Sequence, residues 1–188
     1  MKTEIYDAEY YANHLGSDPY KHEEPWLSFF GEVAKRLVEM YSPKTHLDAG
    51  CAIGLLVDAM QANGVESTGV DISEYATGEA AKRGLLTCHQ GSLTDLWKFP
   101  RVDMVTCIEV LEHIPAEQES EVIRQLTSIS DRVVFSSTSW DLEEPTHVNV
   151  QSQEHWVEAF EKNGFFLTRD DVSFICPWAK VFEKRRSW

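Results

Sequence analysis

The feature that most restricts the fold is a regular alternation of short apolar runs with helix-length patterns between residues 45 and 163. The apolar runs that indicate strands cover 45–49, 67–71, 85–89, 103–108 and 132–136. The helical patterns cover 55–63, 74–83, 116–129 and 152–163. Strands that alternate with helices in this way predict an α/β fold, a doubly wound and mostly parallel sheet with helices on both faces.

The two ends of the chain extend this pattern. Residues 24–41 carry an apolar stripe at three- and four-residue steps, which predicts a helix that Pro43 ends. Beyond the helix at 152–163, with Ser152 as its N-cap and Gly164 as its stop, we expect two further strands. One covers 165–169 and the other either 172–175 or 179–183. Their connection is short, so one of them is expected to run antiparallel near the sheet edge.

Charge and cysteine content restrict the partners and the compartment. Seventeen basic and 31 acidic residues give a formal net charge of −14, which disfavours nucleic acid and anionic membranes as partners. No apolar stretch approaches the roughly 20 residues of a membrane span, and the N-terminus lacks a signal-peptide pattern. The four cysteines form no CxxC pair, which predicts free, mostly buried thiols and a cytoplasmic location. We therefore expect a small-molecule partner, and no pattern indicates the oligomeric state.

The strongest local signal is a glycine-rich turn that joins a strand pattern to a helix pattern. Gly50, Gly54 and the small Ala52 allow the backbone to approach a ligand closely. Asp48, just before the turn, would repel a pyrophosphate, and GxAxG differs from the GxGxxG of dinucleotide binders. An acid at this place suits a cation, such as the ammonium group of S-adenosylmethionine (SAM). The alternative is that the two glycines only shape a tight turn.

A second acid ends the next strand pattern. Asp71 follows Gly50 by 21 residues, and in a βαβ unit this spacing brings it to the same sheet edge. There its carboxylate can accept hydrogen bonds from both ribose hydroxyls of a nucleoside, and Ile72 can cover one face of the adenine. The alternative role for Asp71 is to cap the following helix, for which Ser73 is the better candidate.

Three segments in this order, 48–54, 69–73 and 107–113, resemble the motifs of class I SAM-dependent methyltransferases. The resemblance covers about residues 45–165. It implies a seven-stranded Rossmann-like sheet whose last strand is antiparallel, with SAM across the carboxyl ends of the first strands. It also implies a single methyltransferase domain over 1–188, in which residues 1–42 form an N-terminal aromatic lid and helix and residues 43–188 form the core.

The resemblance also assigns cofactor contacts. Gly50, Cys51 and Gly54 match the loop under the methionyl part of SAM, and Asp71 matches the acid that binds the ribose. Ser92, with Leu93 beside it, stands where many members have an acid near the adenine. Ser92 is a weaker partner than an acid, and Ala52 replaces a more usual glycine; both are departures from the family pattern.

A cluster of acids and histidines follows the fourth strand pattern. If the chain turns helically after residue 108, then Glu109, Glu112 and His113 share one face and can hold a divalent cation. This ExxEH pattern, with His147 more than 30 residues later, resembles ubiquinone-pathway O-methyltransferases and small-RNA 3′-terminal methyltransferases. In the latter the four positions bind magnesium, which implies Glu109, Glu112, His113 and His147 as candidate ligands for Mg²⁺ or Mn²⁺. The alternative is that Glu109 holds the cofactor or substrate, Glu112 is solvated and His113 bonds the loop.

Together these features predict methyl transfer from SAM to a hydroxyl group of a small molecule such as a sugar, a phenol or a natural-product scaffold. His147 or His113 is the expected general base, since a neutral imidazole accepts a proton near pH 7. Tyr6, Tyr10, Tyr11 and His14 are expected to form the lid over the cofactor; the alternative is that these aromatic residues pack on the helix at 24–41. The alternatives are an RNA 3′-terminal ribose methyltransferase, which the acidic charge disfavours, and a non-catalytic SAM-binding subunit.

Overall fold

The computed structural model describes residues 5–13 and 19–185, and the chain divides into two compact units, residues 1–92 and 93–188. The elements of the first unit are α1 (Ala8–Asn13), α2 (Trp26–Tyr41), β1 (Thr45–Ala49), α3 (Leu55–Ala62), β2 (Glu66–Asp71), α4 (Glu74–Lys82) and β3 (Cys88–Gln90). Those of the second are a 3₁₀ segment (Leu93–Lys98), β4 (Met104–Ile108), a 3₁₀ turn (Leu111–His113), α5 (Ala116–Ile129), β5 (Arg132–Ser136), α6 (Gln153–Glu161), β6 (Phe165–Leu167) and β7 (Lys180–Lys184).

The strands form a seven-stranded sheet in the order β3-β2-β1-β4-β5-β7-β6. β2 is parallel to β1 and β3, and β4 is parallel to β5. β7 is antiparallel to β5 and to the edge strand β6. The predicted α/β fold, with an antiparallel strand near the edge, is therefore confirmed.

The last strand follows one of the two predicted alternatives. β7 covers Lys180–Lys184, one residue beyond the predicted range 179–183. The alternative at 172–175 is wrong, because the main chain turns there and the Ile175 N–H donates to the Val172 carbonyl over 3.0 Å. Both side chains are buried in this turn, so apolar residues occur there without a strand.

Local signals at the helix ends are confirmed. Ser73 accepts from the Ala76 N–H over 3.0 Å and so caps α4. Ser152 accepts from the His155 N–H over 3.2 Å and caps α6. The patterns did not predict the short helix α1 or the two 3₁₀ segments, because such short pieces carry little periodicity.

Each unit has its own apolar core. In the first unit, α2 buries Val33 and Leu37 of the predicted apolar stripe, together with Ala34, whereas Met40 of that stripe is 40 % exposed. In the second, the rings of Phe160 and Phe182 stack with centroids 4.2 Å apart. Trp156 is completely buried and belongs to the core of the second unit.

Two expectations from the composition, on membrane-spanning helices and on thiols, can be compared with the described residues. No helix among residues 5–13 and 19–185 combines the length and the apolar character needed to cross a membrane. All four cysteines are free; Cys51, Cys88 and Cys107 are buried and Cys176 is half-buried. The prediction of free, mostly buried thiols is confirmed.

We predict that Gly69→Ala destabilises the chain by about 1–3 kcal/mol, the usual range for overpacking. A methyl group on this residue of β2 would lie 2.7 Å from Cys51 Cβ and 2.9 Å from Val57 Cγ2, so the glycine loop or α3 would have to shift. Urea denaturation would measure the loss as a lower midpoint.

The matched control is Gly78→Ala, in the middle of α4. A methyl group there meets nothing within 4 Å, and alanine stabilises a helix by about 0.5–1 kcal/mol relative to glycine. If Gly69→Ala and the unaltered protein had equal urea midpoints, the residues around Cys51 would be able to move for the added methyl group at little cost in stability.

Candidate functional site

The glycine loop between β1 and α3 is held in a left-handed conformation at three places. Gly50, Ala52 and Gly54 have φ values of 86°, 47° and 82°. The N–H groups of Gly50 and Cys51 both donate to the Val70 carbonyl, over 2.8 and 3.1 Å, which ties the loop to β2. Glycine tolerates positive φ without strain, whereas Ala52 does not, so another interaction must hold Ala52 in place.

Asp71, the last residue of β2, supplies that interaction. One carboxylate oxygen accepts from the Ala52 N–H over 2.7 Å, and the other accepts from the Ser73 N–H over 2.8 Å. Burial raises the pKa of Asp71, while the backbone hydrogen bonds oppose the rise. The residue predicted to bind ribose thus also shapes the loop predicted to lie under the methionyl group.

The other predicted cofactor residues of the first unit lie at the ends of neighbouring strands. Asp48 is the penultimate residue of β1, is 6 % exposed, and pairs in register with Gly69 of β2. Ile72 follows β2 and is half-buried. Because β1, β2 and β3 are parallel, their carboxyl ends meet at one sheet edge, as the βαβ spacing predicts.

The predicted adenine contacts fall where β3 has ended. The Gly91 N–H donates to the Asp71 main-chain carbonyl over 2.8 Å, and half-buried Ser92 follows it. Leu93 is buried and opens the 3₁₀ segment of the second unit.

The N-terminal segment packs against the glycine loop. Tyr6, Tyr10 and Tyr11 are buried in one cluster with Ile53, and half-buried Ile72 packs on the same cluster. The Ser73 hydroxyl donates to the Tyr6 carbonyl over 2.6 Å. Trp26 and Phe30 of α2 pack on this cluster too, as the alternative to a lid expects, and the role of the tyrosines as a lid over the cofactor stays a prediction. His14 lies outside the described residues.

Tyr20 lies near the predicted cofactor residues, although the sequence did not single it out. Its N–H donates to the Tyr11 carbonyl over 2.9 Å. Burial, with Asp48, Cys51 and Asp71 nearby, raises its pKa far above the usual value, so it stays a neutral phenol. Its pattern in the sequence is that of any aromatic residue in a polar segment, so no local signal distinguished it.

The predicted helical face after β4 is wrong. Glu109 has a left-handed φ of 52°, and the 3₁₀ turn begins only at Leu111, so Glu109 shares no helix face with Glu112 and His113. The Glu109 N–H donates to the Ser136 carbonyl over 3.0 Å, and its carboxylate accepts from Trp178 Nε1 over 2.8 Å. These contacts with β5 and with a residue 69 positions away decide its conformation.

Three of the four predicted metal ligands do come together. One ligand atom from each of Glu112, His113 and His147 lies within 4.8 Å of the others. His147 Nδ1 donates to the Asp141 carbonyl over 2.7 Å, and His113 Nδ1 donates to the Thr146 carbonyl over 3.2 Å. In both rings this tautomer leaves the lone pair on Nε2, the atom that binds a cation or accepts a proton.

Glu112 is completely buried rather than solvated, which corrects one of the two alternatives. One carboxyl oxygen accepts from the Ser137 hydroxyl over 2.9 Å, and Oε1 has no hydrogen-bond partner among the described residues. Burial and the nearby Glu109 raise the pKa of Glu112 to about 8. An unsatisfied buried oxygen is costly unless a ligand completes it.

His113 is a neutral ring in this cluster. Burial and His147 lower its pKa to about 4. The two imidazoles lie edge to face with centroids 4.7 Å apart. The cluster therefore presents the neutral ring of His113 and the ring of His147 beside a buried carboxyl group, an arrangement that can bind a cation or accept a proton.

A comparison with protein families matches residues 26–169 to a family described as a methyltransferase domain. Among curated relatives, the ubiquinone biosynthesis O-methyltransferase of Nitrosomonas europaea is 40 % identical over 99 residues, which cover 47 % of this chain and 39 % of the relative. The magnesium-protoporphyrin O-methyltransferase of Synechocystis is 35 % identical over 96 residues, 48 % of this chain and 42 % of the relative. The chain thus spans less than half the length of these relatives.

Among solved structures, the magnesium protoporphyrin IX methyltransferase of Synechocystis with bound S-adenosylhomocysteine (SAH) superposes with a TM-score of 0.65. It is 26 % identical in sequence, and the match covers 86 % of this chain and 83 % of that one. Since the family match covers more than half of the residues, this chain belongs to the methyltransferase domain family and is a class I, Rossmann-like member of it.

Proposed function

We propose that this protein transfers a methyl group from SAM to a hydroxyl group of a small molecule. The observation that carries the proposal is the pair of buried acids, Asp48 and Asp71, at the ends of neighbouring parallel strands around a left-handed glycine loop. This donor set fits SAM, which carries an ammonium group and two ribose hydroxyls. The relative that superposes with bound SAH supports the same cofactor.

Each cofactor residue has a distinct role in this proposal. Asp48 faces the ammonium group and Asp71 accepts from the ribose hydroxyls, while Gly50, Cys51 and Gly54 line the methionyl side. Ile72 covers the adenine. Ser92 is a further proposed contact, near the adenine ring. Leu93 and Glu109 belong to the second unit, and the sequence alone supports a cofactor role for them.

When bound, SAM supplies an activated methyl group, so the protein must mainly orient the acceptor and remove its proton. His147 Nε2 is the proposed base, because Nδ1 is engaged with the Asp141 carbonyl, which orients the ring and leaves Nε2 as the nitrogen that can accept a proton. His113 stands beside it as a neutral ring. The tyrosines of the N-terminal segment exclude water from the glycine loop.

A phenol is the acceptor that the second unit favours. Trp140 is 58 % exposed and lies edge to face with Trp178, centroids 4.2 Å apart, and Trp178 in turn donates to Glu109. An exposed indole next to polar groups suits a flat ring that carries hydroxyl groups. The net charge of −14 speaks against an RNA acceptor.

As an alternative role for the same cluster, in which His147 Nε2 is a ligand and not the base, we propose that Glu112, His113 and His147 bind a divalent cation such as Mg²⁺ or Mn²⁺. The unsatisfied Oε1 of Glu112 and two imidazoles held in the Nδ1–H tautomer fit such an ion. The ion would lower the pKa of a bound acceptor hydroxyl. Glu109 is a further candidate ligand, although its carboxylate is bound to Trp178 in this structure.

We predict that Asp71→Ala weakens SAH binding by about 10- to 100-fold, because hydrogen bonds to a charged group contribute about 1.5–3 kcal/mol. Isothermal titration calorimetry with SAH would measure the loss. Glu79→Gln, which removes an acid in a surface ion pair with Lys82 on α4, should leave the affinity unchanged. Unchanged affinity in folded Asp71→Ala would remove Asp71 from the cofactor site.

We predict that His147→Ala lowers kcat by about 10²- to 10⁴-fold, the usual contribution of a general base, while the SAH dissociation constant changes less than twofold. Transfer of a radiolabelled methyl group from SAM to catechol would measure the rate. His22→Gln, at an exposed histidine paired with Asp58, should retain full activity. A fully active His147→Ala would end the assignment of His147 as the base.

We predict that the protein binds one Mn²⁺ and that the isosteric Glu112→Gln loses this site. Electron paramagnetic resonance would measure binding, because the signal of free Mn²⁺ disappears when the ion binds to the protein. Glu117→Gln, an exposed acid at the start of α5, should bind like the unaltered protein and so controls for the acidic surface.

The contrary outcomes are distinct. Equal binding by Glu112→Gln would assign the ion to surface acids. Absence of binding would leave Glu112, His113 and His147 as a hydrogen-bonded cluster without a metal.

A further inference from the structure

A polar side chain that the proposed chemistry does not use joins the loop after His147 to helix α5. Asn149 is 3 % exposed. Its Nδ2 donates to Glu119 Oε2 over 2.9 Å, and its Oδ1 accepts from Gln151 Nε2 over 2.8 Å. Its main-chain N–H donates to the Glu112 carbonyl over 2.9 Å. A buried asparagine bonded at the main chain and at both side-chain atoms has little freedom to move.

The acid at the other end of this bridge is bonded at both oxygens. Glu119 Oε1 accepts from His155 Nε2 over 2.8 Å, opposite the bond that Oε2 accepts from Asn149. Glu119 is in the first turn of α5, where the helix dipole stabilises a carboxylate. Asn149 and His155 lie on either side of Ser152, the N-cap of α6. One carboxylate therefore holds both the end of the His147 loop and the start of α6.

The bridge from Glu119 to Asn149 affects the distance between two residues of the proposed site, His147 and Glu112. Asn149 is two residues after His147, and its N–H contacts the main chain of Glu112. If the bridge is lost, the segment that carries His147 is released from the residue that carries the buried carboxyl. A misplacement of about 1 Å can cost a hundredfold in rate even when no reacting group is removed.

We propose that Glu119 is a positioning residue, which through Asn149 sets the distance between His147 and Glu112. This inference rests on the proposed function, in which His147 is the base. Glu119 belongs to none of the motifs that the family resemblance uses, and it lies outside the group of Glu112, His113 and His147. It acts on the reaction through the loop and not by contact with the acceptor.

The hydrogen bond between Asn149 and Glu119 can be broken and then restored by exchanging the amide group of Asn149 with the carboxylate of Glu119. Asn149→Asp sets a carboxylate against the carboxylate of Glu119, so the hydrogen bond is lost and the charges repel. Glu119→Gln costs one of the two bonds, because its amide group cannot accept from both Asn149 and His155. With both substitutions, the new amide donates to the new carboxylate and its carbonyl still accepts from His155. The double variant thus has the hydrogen bonds and the charge of the original.

Three measurements on these variants test the proposal. The first is kcat for methyl transfer from SAM to catechol, and the second is the SAH dissociation constant. The third is the ¹⁵N chemical shift of the His147 imidazole, assigned by its loss in His147→Ala. We expect Asn149→Asp to lower kcat at least tenfold and to shift the His147 resonances, with SAH affinity within twofold. The double variant should recover kcat to within threefold and restore the resonances.

The outcomes that overturn the proposal are specific. It fails if Asn149→Asp leaves kcat and the His147 resonances unchanged, or if the double variant restores neither. It also fails if Asn149→Asp lowers the melting temperature and kcat while the His147 resonances of the folded protein stay in place, since the bridge would then only stabilise the fold. Glu117→Gln, on the exposed side of the same helical turn, should change none of the three measurements.

Failure of the proposed function gives a different pattern. In that case the unaltered protein transfers no methyl group to catechol or binds no SAH. The ¹⁵N resonances of His147 still report whether Asn149→Asp displaces the ring and whether the double variant returns it. The positioning role of Glu119 is thus decided independently of the acceptor.

Discussion

The hydrogen bonds that Asp71 accepts from the Ala52 and Ser73 N–H groups are the interactions on which the first unit depends. They hold a non-glycine residue in a left-handed conformation and orient the start of α4 with one buried carboxylate. The cost of burying that charge is offset because both oxygens are bonded to the main chain. In the proposed function, the ribose hydroxyls of SAM would therefore meet a carboxylate that the main chain already holds in place.

The second unit depends instead on main-chain contacts that hold a buried carboxyl group and two histidines together. Glu112 is buried, and one of its oxygens has no hydrogen-bond partner in the part of the chain that the structure describes. The histidines beside it are held through Nδ1 by main-chain carbonyls. Such a group persists only where the surrounding structure enforces it, and functional sites are where proteins retain costs of this kind. The bridge from Glu119 to Asn149 is one of the contacts that stabilise this arrangement, because it holds the loop after His147 against the turn that carries Glu112.

Much of the fold and about half of the candidate site could be predicted from the sequence, for identifiable reasons. Asp48 and Asp71 each end an apolar run, and parallel strands bring their carboxyl ends to the same edge. The error at Glu109 arose because a helical period was assumed where the chain adopts a left-handed residue before a 3₁₀ turn. No residue close to Glu109 in the sequence predicts this conformation, because the residues that hydrogen-bond to Glu109, Ser136 and Trp178, are distant in the chain.

The sequence by itself determined the α/β alternation, the position of the glycine turn and the capping serines, because each depends on residues close together in the chain. The left-handed conformation of Ala52 in that turn required Asp71, 19 positions away. Only the tertiary structure decided that Glu112 is buried, that His147 lies beside His113, and that Tyr20 packs near Asp48 and Asp71. Those features join residues far apart in the chain, through loops whose paths are set by what they pack against. Local preference carries no information about such contacts, since the same loop residues would be equally stable in solvent.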